Sequence, residues 1–256
     1  MKIVACIKQV PDSAAKVVVE NGQVSWGDAP LVINPWDEFA VEAALQQKEA
    51  RGGEVIAISM GSENAKEALK HALAMGCDSA ILISDPALAG IDTGGTARVL
   101  AAAIQKVGQV DMTFFGRQAI DGDAGITPAQ TARVLGWPFF GLTVKLELGG
   151  QTVKVEHAIE EGRQIVSADL PVVFSIAKDF AEPRYPSFMG IRKASRAEIP
   201  AWTLADLGIS APQPVVAWPE LMNPPSREVT CEIIAGGSPE EIAEKLADKI
   251  LGEKVL

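Results

Sequence analysis

The chain has 256 residues, of which 33 are acidic and 23 are basic, so the net charge is −10 with both histidines neutral. Hydrophobic residues make up 48% of the sequence, which is enough for a buried core and excludes a wholly disordered chain. The negative charge argues against a broad basic face for nucleic acid. This length favours one large domain, or one domain with an added arm, over three domains.

Five short apolar runs are predicted to be strands. Each has four or five residues and is rich in branched side chains, as expected for parallel strands that are covered on both faces. The runs are Ile3 to Ile7, Val55 to Ser59, Ala80 to Ser84, Met112 to Phe115 and Val172 to Ile176. Helical patterns lie between them. Strand-helix alternation of this kind indicates a doubly wound, mostly parallel α/β sheet of the Rossmann-like type.

Two of the intervening segments have a helical apolar stripe. In the first, Asp37 and Glu38 open a helix whose stripe begins at Val41. In the second, apolar residues recur at helical spacing at Ala65, Ala68, Leu69, Ala72 and Leu73. Both segments are therefore predicted to cover the sheet.

Turn and cap residues predict two antiparallel hairpins and a final helix. Asn21-Gly22 lies between two runs of valine and suits a type I′ turn. Gly149-Gly150 joins two segments in which apolar and charged residues alternate, which predicts a hairpin with one solvated face. Near the end, Ser238 and Glu241 form a capping box at the start of an amphipathic helix.

The composition changes near Ala181. Prolines become frequent after this point, yet large apolar residues such as Trp202 and Trp218 remain. A solvated linker would have fewer such residues. Residues 1–180 are therefore predicted to form the α/β domain and residues 181–256 an extended C-terminal arm. The arm either packs on its own domain or wraps round a partner chain.

Cysteines and apolar runs indicate the compartment. The three cysteines have no C-x-x-C spacing and only two histidines are present, so a metal site of the usual zinc type is not expected. Scattered cysteines in an odd number are typical of a reducing compartment. No apolar run reaches the roughly 18 residues of a membrane span, and Lys8 ends the first run too early for a signal peptide. We expect a cytoplasmic protein.

One segment has the character of a nucleotide site. The strand that begins at Met112 is followed by a loop with three glycines, and Thr127-Pro128 is predicted to be the N-cap and first turn of the next helix. The free N–H groups of such a helix bind phosphate, and nucleotides bind beyond the carboxyl ends of strands in open α/β sheets. The alternative is an ordinary loop with acidic turn residues. Asp121 and Asp123 would repel a phosphate unless they face ribose hydroxyls, backbone donors or Arg117.

Two further segments should end at the same edge of the sheet. They are the turn after Met60 and the stretch Asn34-Pro35-Trp36-Asp37, which leads into a helix. Together with the end of the first strand near Cys6, they could enclose an adenosine. The sequence contains no Gly-x-Ser-x-Gly, Walker or Gly-x-Gly-x-x-Gly motif, and neither histidine lies in a triad or metal pattern. The residues thus predict a nucleotide-binding domain without an evident catalytic group.

The same segments resemble the β subunit of electron transfer flavoprotein. The resemblance extends over essentially the whole chain and is most specific in the loop after the Met112 strand and in the Glu-Pro-Arg-Tyr segment. The matching stretches are 5–12 (ACIKQVPD), 34–44 (NPWDEFAVEAA), 72–76 (ALAMG), 116–123 (GRQAIDGD), 182–186 (EPRYP) and 202–208 (WTLADLG).

This resemblance implies a heterodimer whose α subunit holds the redox-active FAD. The β subunit supplies a Rossmann-like domain with a bound AMP, and its C-terminal arm reaches round the α subunit. The chemistry is then electron transfer on the flavin, so the chain is expected to be a carrier subunit without catalytic residues of its own. Its electrons would come from acyl-CoA-type dehydrogenases and pass to a downstream acceptor.

Site residues follow from the same resemblance. Those implied to bind the nucleotide are Cys6, Asn34, Pro35, Trp36, Asp37, Met60, Gly116, Arg117, Gln118, Ala119, Ile120, Asp121, Gly122, Asp123, Ala124, Gly125, Ile126 and Thr127. Those implied to dock the dehydrogenase are Tyr185, Phe188, Met189, Ile191, Arg192 and Lys193, with Phe188 as the apolar anchor.

Two alternatives remain at this point. The electron-bifurcating branch of the family binds a second FAD in place of AMP, and it resembles this chain at Asp121-Gly122-Asp123. Thr127, by contrast, resembles the AMP-binding branch, and a hydroxyl at a helix N-terminus is a good phosphate donor, so AMP is the first expectation. A more remote alternative is a stand-alone adenine-nucleotide sensor domain, which would need no arm.

Overall fold

The computed structural model describes residues 1–217, 220–225 and 231–253. The strands are β1 (Lys2–Ile7), β2 (Gln9–Pro11), β3 (Val18–Glu20), β4 (Gln23–Ser25), β5 (Leu31–Ile33), β6 (Glu54–Met60), β7 (Ser79–Ile83), β8 (Met112–Gly116), β9 (Phe139–Gly149), β10 (Thr152–Ile159), β11 (Gly162–Asp169), β12 (Val172–Ile176) and β13 (Ala201–Trp202). The helices are α1 (Pro35–Arg51), α2 (Lys66–Met75), α3 (Thr93–Val107), α4 (Thr127–Leu135), α5 (Phe188–Ala194), α6 (Leu204–Leu207) and α7 (Pro239–Gly252).

Nine strands form one sheet in the order β11-β10-β9-β12-β8-β1-β6-β7-β13. All neighbours from β9 to β13 run parallel, whereas β10 and β11 extend the sheet in the antiparallel direction. The strand order moves outward from β1 in both directions, which is the doubly wound arrangement. The predicted fold class is therefore confirmed.

Both faces of the parallel strands are covered by helices. On β1, Ile3, Ala5 and Ile7 pack in a core cluster with residues of α1 and α2, whereas Val4 and Cys6 pack in a second cluster with residues of α3 and α4. Alternate side chains of a strand point to opposite faces, so a continuous apolar run is what this burial requires. The α1/α2 face and the α3/α4 face are used below as names for the two sides.

Most of the predicted elements are present, and the longest elements that the sequence did not predict are α3 and β11. The five apolar runs are β1, β6, β7, β8 and β12, and the two hairpins are β3–β4 and β9–β10. Strand β11 was missed because most of its residues are exposed, so it lacks an apolar pattern. Helix α3 was missed because it opens with two glycines, which are poor helix formers. Its start is set by Asp92, whose side chain accepts the N–H of Gly95 at 2.7 Å.

The chain divides into two compact units near its C-terminal end. The sheet and its helices belong to Met1–Leu221, and α7 belongs to Met222–Leu256. Strand β13 pairs with β7, and Leu204 of α6 is buried, so the stretch after residue 181 contributes to the first unit. Trp218, an arm residue named above, lies outside the described residues. The boundary at residue 180 and the wrapping of a partner stay predictions.

Helix α7 begins with the capping box expected from the sequence. The Ser238 side chain accepts the N–H of Glu241, and the Glu241 carboxylate accepts the N–H of Ser238. Its apolar residues Leu246, Ile250 and Leu251 are 47%, 39% and 64% exposed. Among the helices of the described residues, none is both long enough and apolar enough to cross a membrane.

Candidate nucleotide site at the carboxyl edge of the sheet

The carboxyl ends of three neighbouring strands meet at one edge of the sheet. Strand β1 lies between β6 and β8, and Cys6 is paired with Ile58 on β6 and with Phe115 on β8. Met60, at the end of β6, packs against the cluster on the α3/α4 face. Burial, with a smaller effect from the charge of Asp37, raises the pKa of the Cys6 thiol far above its usual range. Cys6 therefore stays protonated, and its contribution is packing rather than reactivity.

Asn34 joins the start of α1 to the loop that follows β8. Its side chain is fully buried, its Nδ2 donates to the carbonyl of Gln118 at 2.8 Å, and its Oδ1 accepts the N–H of Ile120 at 3.2 Å. Its own carbonyl accepts the N–H of Asp37, and Pro35 takes the first helical position, where a missing N–H costs nothing. One side chain thus holds the loop against α1 while its backbone starts the helix.

The carboxylate of Asp37 links three segments. Its Oδ2 accepts the N–H of Lys8 at 2.7 Å, and its Oδ1 accepts the N–H of Gly116 at 3.2 Å. Burial raises the pKa of Asp37 to about 7, and the N–H groups of Lys8 and Gly116 oppose this rise because they favour the ionised form. Asp37 therefore ties the ends of β1 and β8 to the first turn of α1.

Gly116 and Arg117 pack directly against that first turn. A Cβ on Gly116 would overlap Asp37 Oδ1 and would lie 2.6 Å from the carbonyl carbon of Trp36, so only glycine fits here. The guanidinium of Arg117 lies over the indole of Trp36, with 5.6 Å between its carbon and the ring centre. The loop therefore leaves β8 at a fixed position relative to α1.

The acidic residues of the loop are paired within the chain. Lys8 Nζ lies 2.6 Å from Asp121 Oδ2, and Gln118 Nε2 donates to Asp123 Oδ1 at 2.7 Å. The charge of Lys8 offsets that of Asp121, whereas the neutral amide of Gln118 only orients Asp123. Asp121 thus faces Lys8, whereas Arg117 lies over Trp36.

One oxygen of Asp121 has no protein partner. Its Oδ1 is buried, and no hydrogen bond reaches it from the described part of the chain. A carboxylate oxygen can only accept, and a buried acceptor without a donor costs free energy. A ribose hydroxyl is a donor of the right kind for this atom. This oxygen therefore fits a ligand that brings a hydroxyl group to the loop.

The middle of the loop turns sharply before α4. Asp123 and Gly125 have φ of 50° and 63°, in the left-handed region. The N–H of Asp123 donates to the carbonyl of Ala119 at 2.8 Å, which closes the turn. Gly122 and Ala124 are exposed on either side of Asp123. This part of the loop therefore presents backbone and small side chains to solvent.

The start of α4 differs from the prediction. The cap residue is Ile126, and Thr127 is already the first helical residue. The N-cap prediction for Thr127 is wrong by one position because the first helical bond runs from the N–H of Gln130 to the carbonyl of Ile126, at 3.0 Å. No side chain caps this helix in the structure. The half-buried hydroxyl of Thr127 and the N–H groups of the first turn remain available to an anion.

Two surface depressions lie elsewhere. One of about 400 Å³ is lined by Gln109, Asp111 and Trp137, beyond the amino ends of the parallel strands. The other, of about 390 Å³, lies between Asp12 and Pro30 beside the β3–β4 hairpin. Neither is lined by residues of the loop after β8. The candidate nucleotide site is therefore inferred from the polar groups described above and not from either depression.

Comparison with known proteins decides the family. A model of the electron transfer flavoprotein domain matches residues 25–207. "Electron transfer flavoprotein subunit beta" of Clostridium acetobutylicum is 40% identical over 210 residues, which cover 82% of this chain and 81% of that protein. The chain belongs to the electron transfer flavoprotein β-subunit family.

Two other β-subunit relatives match over their full length. "Electron transfer flavoprotein subunit beta" of Thermoanaerobacterium thermosaccharolyticum is 37% identical over 272 residues, with 100% of both chains covered. "Caffeyl-CoA reductase-Etf complex subunit CarD" of Acetobacterium woodii is 35% identical over 266 residues, again with 100% of both chains covered. The family resemblance stated above is therefore confirmed.

In this β subunit, the segment implied to dock a partner is α5 with the residues before it. The Ser187 side chain accepts the N–H of Gly190 at 2.9 Å and caps the helix. A Cβ on Gly190 would overlap the carbonyl oxygen of Ala74 on α2, and Ala194 is buried. Helix α5 is thus pressed onto α2, on the α1/α2 face. The exposed residues are Tyr185 (95%), Phe188 (80%), Met189 (69%) and Ile191 (53%), together with Arg192 and Lys193.

The structure brings most of the implied nucleotide residues together and adds one that the sequence patterns do not single out. Hydrogen bonds join the end of β1, the stretch 34–37 and the loop 116–121. The residues implied to dock a partner lie elsewhere, since α5 packs on the opposite face of the sheet from α4. Lys8 is the added residue, since its N–H binds Asp37 and its ammonium binds Asp121. The sequence did contain one signal for this role, because Lys8 is a single basic residue directly after the first strand.

Proposed function

We propose that this chain is the AMP-binding β subunit of a cytoplasmic electron carrier. With an α subunit that holds FAD, it shuttles electrons from acyl-CoA-type dehydrogenases to a downstream acceptor. The observation that carries the nucleotide part is the loop between β8 and α4, which Asn34 and Asp37 fix at the carboxyl edge of the sheet. Family membership carries the electron-transfer part.

The groups of the loop suit the parts of AMP. The uncapped N-terminus of α4 and the hydroxyl of Thr127 are donors for a phosphate. The partnerless Oδ1 of Asp121 is an acceptor for a ribose hydroxyl. Lys8 holds the other oxygen of Asp121 and keeps that carboxylate in place. The chain's own residues therefore bind and orient the nucleotide.

In this proposal the β subunit contributes binding surfaces and the flavin contributes the chemistry. When bound to the heterodimer, FAD supplies the group that accepts and donates electrons. The raised pKa of Cys6 makes that thiol unreactive, in keeping with a role in packing. The carrier needs a place where the dehydrogenase docks, and the exposed apolar residues of the α5 segment suit this purpose.

A second candidate has specific support. Asp121-Gly122-Asp123 resembles the bifurcating branch, which carries a second FAD in the β subunit. One full-length relative is named as a subunit of a caffeyl-CoA reductase–Etf complex. On this reading the β site holds the ADP part of FAD through the same polar groups, and the partner is a CoA-ester reductase. The two candidates differ in nucleotide content.

The docking part of the proposal is tested with Phe188→Ala in the complete heterodimer. Removing the exposed ring should slow flavin reduction by the dehydrogenase, while nucleotide content and the flavin spectrum stay unchanged. Ile165→Ala is the matched control, because Ile165 is an exposed apolar residue on β11. Equal transfer rates for parent, variant and control with each acyl-CoA-type dehydrogenase and CoA-ester reductase would contradict the docking role.

A further inference from the structure

A charged cluster connects the docking segment to α1. Glu42 of α1 accepts Nε of Arg184 at 2.7 Å, Nη2 of Arg184 at 3.0 Å and the backbone N–H of Arg184 at 3.2 Å. Glu49, two turns further along the same face of α1, accepts Nη1 at 2.5 Å and Nη2 at 3.1 Å. The guanidinium thus bridges two carboxylates of one helix, a geometry that its planar fork allows and a lysine would not reproduce.

The burial of the cluster is uneven, which separates the roles of the two carboxylates. The Glu42 side chain is 6% exposed, whereas those of Arg184 and Glu49 are 34% and 56% exposed. Burial raises the pKa of Glu42, but hydrogen bonds from Arg184 and Gln46 outweigh it, so the pKa lies below its usual range. Glu42 is therefore held ionised inside the protein by Arg184. Removing one partner of a buried pair leaves an uncompensated charge, so this contact is harder to break than a surface ion pair.

Arg184 occupies a point in the chain where position matters. No regular secondary structure runs from the end of β12 at Ile176 to the start of α5 at Phe188. Within that stretch Arg184 fixes the backbone to α1, and the residue after it, Tyr185, is exposed. Further on, Gly190 and Ala194 fix α5 to α2. The exposed residues Tyr185 and Phe188 therefore lie between one anchor on α1 and another on α2.

We propose that Arg184 is a positioning residue for partner docking. By binding Glu42 and Glu49 it sets the direction in which Tyr185 and the start of α5 meet the redox partner. This inference rests on the proposed docking role of the α5 segment. Loss of the cluster should weaken association with the partner and leave electron transfer within the formed complex unchanged.

The most informative variant removes the cluster without leaving a buried charge unpaired. Arg184→Met alone leaves Glu42 buried and unpaired, which destabilises the fold, whereas Arg184→Met combined with Glu42→Met replaces both partners with apolar side chains. The double variant is made in the complete heterodimer with its α subunit. Arg163→Met is the control for loss of an arginine–glutamate pair, because Arg163 on β11 pairs with Glu156 on β10, at the opposite end of the sheet from β7 and β13.

The expected result separates positioning from stability. The double variant should keep its nucleotides and its maximum rate, while its apparent KM for the dehydrogenase rises by about tenfold, equal to about 1.4 kcal/mol of association free energy. Hydrogen exchange of the amides in residues 182–194 should become faster, because the anchor on α1 is gone. Arg184→Lys keeps the positive charge but lacks the planar guanidinium, so its affinity for the dehydrogenase should lie between those of the parent and the double variant.

The outcomes distinguish this inference from the proposed function. Unchanged exchange in residues 182–194, or a KM within about twofold of the parent despite faster exchange, would overturn the positioning role. If instead Phe188→Ala also leaves the transfer unchanged with every partner, the proposed docking role itself fails. A raised KM in Phe188→Ala and in the double variant, with an unchanged KM in Arg163→Met, supports both the docking role of the α5 segment and the positioning role of Arg184.

Discussion

Two carboxylates determine the geometry at the end of β1. Asp37 receives two backbone N–H groups from segments that are far apart in the chain, and Asp121 binds Lys8 with one oxygen while the other has no donor among the described residues. The first carboxylate holds the segments of the candidate site together, and we propose that the second accepts a hydrogen bond from the ligand.

The pH dependence of stability tests Asp37. Because its pKa is raised from 3.8 to about 7, the folded protein keeps a proton between these values that the unfolded chain has lost. The free energy of unfolding of the parent should therefore fall as the pH rises through this window. Asp37→Asn lacks this titration, so it should destabilise the protein more at about pH 5 than at about pH 8. A destabilisation that stays constant, or grows with pH, would show that the carboxyl is ionised throughout.

The phosphate role of Thr127 is tested by removing its hydroxyl. Thr127→Val should lose a hydrogen bond to a charged group, about 1.5–3 kcal/mol, so AMP affinity should fall by about tenfold to about a hundredfold. No loss of a helix cap adds to this, since Ile126 is the cap residue. The heterodimer should also melt at a lower temperature, because bound ligand stabilises only the folded form. Thr127→Ser keeps the hydroxyl and is the control, and a valine variant with a full equivalent of AMP would place the phosphate elsewhere.

At the scale of the element, the site depends on how closely α1 approaches β8. Gly116→Ala should destabilise the protein by about 1–3 kcal/mol and lower its nucleotide content, because the new Cβ meets the backbone of Trp36 and the carboxylate of Asp37. Gly122→Ala is the control in the same loop, since nothing lies within 4 Å of its Cβ position. Melting temperature and bound nucleotide are measured for both. Equal behaviour of the two variants would contradict the tight approach.

The elements also show what the sequence can and cannot predict. Apolar runs and helical stripes predicted β1, β6, β8, β12, α1 and α2 because each pattern is local and depends on burial. The same reasoning placed 34–37 and 116–127 at one edge, since parallel strands end together. The bonds that complete the site were not predictable, because Asn34 meets Gln118 and Lys8 meets Asp121 only after the sheet has formed. The cap of α4 was missed because Thr-Pro is only a statistical signal, and the loop geometry favoured Ile126.

At the scale of the whole molecule, we expect the end of the chain to contact the α subunit. The apolar residues of α7 are exposed, and α7 belongs to the unit Met222–Leu256. Because Trp202 and Leu204 pack in the core of the first unit, a deletion that tests the arm should begin after Leu221. We expect this truncated chain to keep its own melting transition and to lose assembly with the α subunit.

A point variant refines this expectation. Leu246→Glu places a charge on the apolar stripe of α7 and should weaken assembly with the α subunit, as measured by size-exclusion chromatography. Lys245→Glu is the control, because Lys245 is the exposed residue before Leu246 and does not belong to the apolar stripe. The heterodimer with this variant should assemble normally. If both variants assemble like the parent, α7 does not contact the α subunit through this stripe.

The nucleotides released from the denatured, purified heterodimer test the central claim most directly. The polar groups of the loop after β8 are expected to hold AMP, so each heterodimer should release one FAD and one AMP. Two FAD and no AMP would replace this account with the bifurcating one, in which the same loop holds the ADP part of a second flavin. One FAD with no second nucleotide of any kind would contradict a nucleotide site in this subunit.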